Sequence, residues 1–400
     1  MRRKHQILAL GFAAVLTAVS VIPAFAGQAP TGPGAEPQPE KYDAATLEKL
    51  QDNVLEYDEI ALRVREYNPT ISEAWRKYGE TKEDYQNMLT ELESTYDTSI
   101  DNIDTVINQL KPLGTMGKAM VKQMGALKSG YRSFVQGIRD SVSNWDSSLV
   151  NTSQIRQFEK QFISGAQSAM IGYNTIVENK ATLETMVELY QKQSDMYQRM
   201  AGLGLANQTD LVSAQASLIG AKSQLASLES QEDSVYRTLC LLLGYDTDSG
   251  VEIRNLPAFD MSRLDGMNLE TDTKKAIGNN YTLIGQRTSS KGKTNAQIEA
   301  RLNTIEEGEQ KLTIEMQRLY QDVLDKKAAY EAAVTGYEAA EKSNAAAQRQ
   351  YQNGLLSEIQ FVGTQISYNQ KKAAKESAEL DLWTAMNAYD WGIEGLATVE

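Results

Sequence analysis

The chain has 400 residues, of which 40 are basic and 53 acidic, giving a net charge of -13 at pH 7, with a single histidine and a single cysteine. His5 lies in an N-terminal stretch that reads as an export signal, so the remainder contains no histidine. That excludes Ser-His-Asp and Cys-His nucleophile systems and histidine metal sites, and the acidity argues against nucleic acid as a partner.

Residues 1-26 carry the signal pattern. Arg2, Arg3 and Lys4 precede an apolar run from Ile7 to Val21, and Pro23-Ala24-Phe25-Ala26 supplies small residues for cleavage after Ala26. The run is short for a membrane span. Export to the cell envelope is the expectation. Without the three signal cations, 37 basic residues face 53 acidic ones, a net charge of -16. Cys240 stands alone and far from the signal, which leaves no lipoprotein anchor and no internal disulfide.

Residues 27-41 are rich in Pro and Gly and read as a flexible leader. Beyond them, the stretches 113-256 and 258-400 contain no proline and are rich in Ala, Gln, Glu, Lys and Leu, which favours long helices. A first repeat is placed at 42-244, a linker at 245-270 and a second repeat at 271-400.

Within the first repeat, Met116, Met120, Met124, Leu127, Tyr131, Phe134 and Ile138 recur at helical spacing. Residues 111-140 thus form a basic helical insert, with six Lys and Arg against Asp140. Two readings stay open. In one, Lys118, Lys122, Lys128 and Arg132 contact an anionic membrane surface. In the other, the helix packs on the bundle with its basic face solvated or opposite acidic arms.

The central feature is a duplication. Residues 198-217 read QRMAGLGLANQTDLVSAQAS and residues 348-367 read QRQYQNGLLSEIQFVGTQIS, with seven of twenty positions identical without a gap. Heptads flank both copies. Ile176, Leu183, Tyr190 and Tyr197 step by seven before the first; Leu211, Leu218, Leu225 and Leu239, with Ala214, Ala221, Leu228, Val235 and Leu242, follow it. Met316, Val323, Tyr330 and Tyr337, with Leu312, Leu319, Ala333 and Ala340, precede the second. Sustained period 3.5 predicts coiled-coil packing. The fold class is therefore all-α: two long antiparallel coiled-coil hairpins joined to equivalent Gly-Leu tips, with arms of about 50-60 residues spanning about 75-90 Å. The repeats also open alike, EYDEIALRVREYNPTISEAW against DTKKAIGNNYTLIGQR, which aligns Asn68-Pro69-Thr70 with Asn280-Tyr281-Thr282.

These features together resemble the TolC family of outer-membrane efflux proteins. Gly204-Leu205-Ala206-Asn207-Gln208-Thr209-Asp210-Leu211 matches the family's hairpin tip, and Gly354-Leu355-Leu356-Ser357 matches it again, with Gln360 where an Asp is common. The resemblance covers about 42-400. It implies a homotrimeric helical conduit in an export system, with no catalytic residue, cofactor or metal, whose tips meet a periplasmic-type adaptor (membrane fusion) protein. The tip residues it points to are Gly204, Leu205, Thr209, Asp210, Gly354, Leu355 and Ser357. The family's barrel strands are not found in the pattern. In the second repeat only Thr288-Thr294 (TSSKGKT) separates opening helix from long arm, and the 62 or so extra residues of the first repeat do not alternate. The alternative function is a barrel-less coiled-coil structural or interaction protein at the cell surface.

Overall fold

The computed structural model describes residues 44-76, 82-111, 114-143, 152-246, 249-288 and 294-398. Residues 1-26, the whole of the 27-41 leader, the centre of the TSSKGKT segment, and the side chains of Met116, Lys118 and Met120 lie outside what is described.

The first repeat opens with α1 (Ala44–Gln51), β1 (Val54–Leu55), a 3-10 turn (Tyr57–Glu59), α2 (Ile60–Tyr67) and α3 (Pro69–Arg76). Next come α4 (Lys82–Leu110) and α5 (Gly114–Ser143), then the first long hairpin, α6 (Thr152–Gly202) and α7 (Gln208–Leu243). β2 (Glu252–Ile253) and α8 (Ser262–Asp265) lead to the second repeat: α9 (Leu269–Asn279), α10 (Tyr281–Thr288), α11 (Asn295–Gln352) and α12 (Glu358–Trp391), closed by a π-helical turn, Gly392–Leu396. β1 and β2 pair in parallel, Val54 with Glu252 and Leu55 with Ile253, and are the strands among the described residues.

The outgoing arms have the expected length, 51 residues in α6 and 58 in α11. The returning arms are shorter than expected, 36 residues in α7 and 34 in α12. Gly244 (φ 70°) and Gly395 (φ 94°) stop them in the left-handed region, which favours glycine. The short opening helices occupy the space beside the outgoing arms beyond these stops.

Packing follows the heptads. Ala214, Leu218, Ala221, Val235, Leu239 and Leu242 of α7 are buried, as are Leu312, Met316, Leu319 and Val323 of α11. Two large apolar cores result among the described residues, each built mainly from one repeat, and Tyr57 packs against both. α6 packs on α7 and on α12, and α12 packs on α11. The four long helices thus form a row, α7–α6–α12–α11, with α7 and α11 at its edges.

The insert is a helical hairpin, α4 with α5, rather than one basic helix. Its halves are held by Lys128 Nζ to Asp104 Oδ1 (2.6 Å) and Arg139 Nη2 to Glu93 Oε1 (2.6 Å). The segment expected as a linker, 245-270, is packed on the body: Val251 and Phe259 are buried because β2 and the loop after it seal the junction of the two cores.

Candidate functional site

The two tips are built alike. At the first, Gly204 takes φ 71°, the Leu205 N–H reaches back to the Met200 carbonyl (2.8 Å) and the Gly204 N–H to Ala201 (3.0 Å). At the second, Gly354 takes φ 70°, Leu355 reaches Gln350 (2.8 Å) and Gly354 reaches Tyr351 (3.0 Å). This is a Schellman-type ending that only glycine enters without strain. It throws the next leucine outward, leaving Leu205 70 % and Leu355 78 % exposed.

The helix that follows each tip is capped locally. Asn207 accepts the Asp210 N–H at the first (2.8 Å). At the second, Ser357 accepts the Gln360 N–H while the Gln360 side chain accepts the Ser357 N–H, a reciprocal capping box. Gln360, where the tip motif usually has Asp, therefore has a local function. Thr209 is exposed, and Asp210 sits in the first turn, where a negative charge complements the helix dipole. Sequence reasoning missed Asn207 as the cap, the exposed Leu203, and the Tyr351–Phe361 ring stack (centroids 4.8 Å) beneath the second tip. The Asn-x-x-Asp and Ser-x-x-Gln spacings were the available signals.

The tips stand side by side. Leu189 and Met196 of α6 share a small apolar cluster with Val362, Ile359 and Ile366 of α12. Nearer the base the same junction is polar. Trp391 Nε1 donates to Gln167 Oε1 (2.8 Å) and Asn387 Nδ2 to Ser168 Oγ (3.4 Å).

Of the four basic positions singled out in the insert, Lys122, Lys128 and Arg132 have described side chains. Lys122 Nζ bonds Glu315 Oε1 on α11 (2.6 Å) and Lys128 bonds Asp104, while Arg132 is exposed. Burial opposes ionisation of Glu315, but hydrogen bonds from Arg318 and Lys122 outweigh it and hold the carboxyl below its ordinary value. The apolar stripe is already covered: Met124, Leu127, Tyr131, Phe134 and Ile138 are buried, and Phe134 stacks on Phe158 of α6 (4.3 Å).

No family model matches the chain, and the comparison with curated proteins finds no match. Solved structures are similar over much of the length at low identity. An outer-membrane channel, OprN, is 12 % identical, with 91 % of this chain and 98 % of that one covered and a TM-score of 0.45. A membrane protein from Pseudomonas aeruginosa is 11 % identical over 68 % and 72 %, with a TM-score of 0.45. The outer membrane protein VceC of Vibrio cholerae is 12 % identical over 71 % and 77 %, with a TM-score of 0.39.

Proposed function

We propose that this protein is an exported, TolC-like component of an efflux or export assembly, a helical conduit or docking element that closes into a ring of identical copies and offers its tips to an adaptor protein. One observation carries the reading. The duplication pairs residue n of the first hairpin with n + 150 of the second, so α6 corresponds to α11 and α7 to α12. Val362 of α12 is 3 % exposed in the α6–α12 junction, whereas its identical counterpart Val212 of α7 is 53 % exposed at the edge of the row. The other edge agrees: Ser164 of α6 is 7 % exposed, and its counterpart Ile314 of α11 is 67 % exposed.

A surface that is buried in one repeat and bare in the other fits burial against a second copy. By the same correspondence, the α11 edge of one chain meets the α7 edge of the next. Such a head-to-tail contact closes into a ring when its rotation allows. Three copies is the number the resemblance implies, and the export pattern of residues 1-26 supports a location in the cell envelope. The exposed leucines of both tips then form a circle of apolar knobs suited to helix-tip contacts with the adaptor.

The experiment is light scattering of residues 27-400 combined with a double variant, Val212→Cys with Ala346→Cys. Val362 clusters with Met196, whose counterpart is Ala346, so the two thiols should cross-link between copies of a stable oligomer. A monomer without intermolecular cross-links would sink the ring and favour the cell-surface scaffold.

A further inference from the structure

The α4–α5 hairpin sits on one face of the helix row, and the geometry of the duplicated positions says which. On α6, Leu127 of α5 lies over Gly165, where an added Cβ would approach it to 3.2 Å. The counterpart of Gly165 on α11 is Glu315, the residue bonded by Lys122 of α5. The insert therefore crosses the same side of α6 and of α11.

The opening helices use another side. Glu159 of α6 accepts Arg65 Nε (2.8 Å) and Trp75 Nε1 (2.6 Å) from α2 and α3. Its counterpart Glu309 of α11 accepts Arg287 Nη2 (2.8 Å) from α10. Glu159 and Gly165 point about 120° apart around the helix. The side toward α7, marked by Tyr173 against Tyr236, lies between them, and the side toward α12, marked by Gln167 and Ser168, lies opposite. Insert and opening helices are thus on opposite faces of the row.

We propose that in the assembled ring the insert faces inward, and that the hairpins together fill the bore at the end away from the tips. This rests on the ring reading. Twelve helices about 10 Å apart close around an opening about 28 Å wide, and six helices at the same spacing fill a circle of about that width. Three inserts supply six helices. The opening helices α2, α3, α9 and α10 supply twelve, too many for the bore, and belong outside.

The test labels two single-cysteine additions in the full exported chain, Ser133→Cys on the exposed side of α5 and Lys342→Cys on the outer face, with the parent chain as blank because Cys240 is buried. Each is treated with a small maleimide and with a large polyethylene-glycol maleimide, after its mass is measured. In the oligomer, Lys342→Cys should take both reagents, and Ser133→Cys should take the small one and lose the large one. An oligomer in which Ser133→Cys takes the large reagent as readily as Lys342→Cys overturns the plug and leaves the ring standing. A monomeric mass overturns both.

Discussion

Asn68 and Asn280 close the two repeats by the same device. The Asn68 side chain caps α3 by accepting the Thr70 and Ile71 N–H groups (3.0 and 3.1 Å) and donates to the Leu242 carbonyl at the end of α7 (2.8 Å). The Asn280 side chain accepts the Leu283 N–H (3.1 Å) and donates to the Ala397 carbonyl (3.0 Å) just past α12. Each amide thereby ties the start of its repeat to the end. Both are buried, so replacement by alanine strands several polar groups. Asn68→Ala and Asn280→Ala should each cost about 2-3 kcal/mol in urea unfolding of the isolated chain. Losses below a few tenths would contradict the role.

Gly244 beside the Asn68 amide and Gly204 at the tip set up a graded prediction. A Cβ on Gly244 would collide with the Tyr67 carbonyl, whereas one on Gly204 meets nothing within 4 Å, although φ is 70° and 71°. Gly204→Ala should cost about 1 kcal/mol of left-handed strain. Gly244→Ala adds displacement of backbone and should cost distinctly more. Equal midpoints for the two variants would refute the close approach.

The tip leucines should separate stability from binding. Leu205→Asp with Leu355→Asp changes only exposed side chains, so the melting temperature should hold within a degree or two. Pull-down of a cognate adaptor should be lost. Retained binding by a competent pair would remove the tips from the interface.

The valine pair should behave oppositely. Val362→Asp buries a charge in the α6–α12 junction and should destabilise the monomer by about 3 kcal/mol or more. Val212→Asp should leave monomer stability nearly unchanged while abolishing oligomer by light scattering. Oligomer that survives Val212→Asp would place the copy-to-copy contact elsewhere.

Acid should loosen the insert from α11. The folded pKa of Glu315 lies below its ordinary value, so its pairing with Lys122 stabilises above that ordinary value and is lost as pH falls through the folded pKa. Hydrogen exchange in α5 around Lys122, taken relative to the intrinsic amide rate at each pH, should quicken below about pH 4.5, and less so in Lys122→Gln. A parallel rise in both would rule out the pair as the cause.

The tips were legible because glycine, leucine and cap residues act within a few positions of each other. The long arms were legible because apolar residues recur every seven. The insert was only half legible. Its stripe from Met124 to Ile138 announced a helix, but that Phe158 on α6 would cover it depends on contacts between distant parts of the chain. Its partner α4 was missed, although Glu93 and Asp104 stand where Arg139 and Lys128 need them. The row's open edges were invisible until Val212 and Val362 could be compared for exposure, since the sequence makes them identical.

The π-helical turn at Gly392–Leu396 lets two hairpins of unequal length end alike. From tip glycine to closing glycine is 40 residues in the first repeat, Gly204 to Gly244, and 41 in the second, Gly354 to Gly395. The widened turn absorbs the odd residue just before the closing glycine, so both ends of the hairpin keep their places. The second hairpin thus carries its extra residue at a point where the helix takes it up without disturbing either the tip or the Asn280 amide that ties α10 to the chain end.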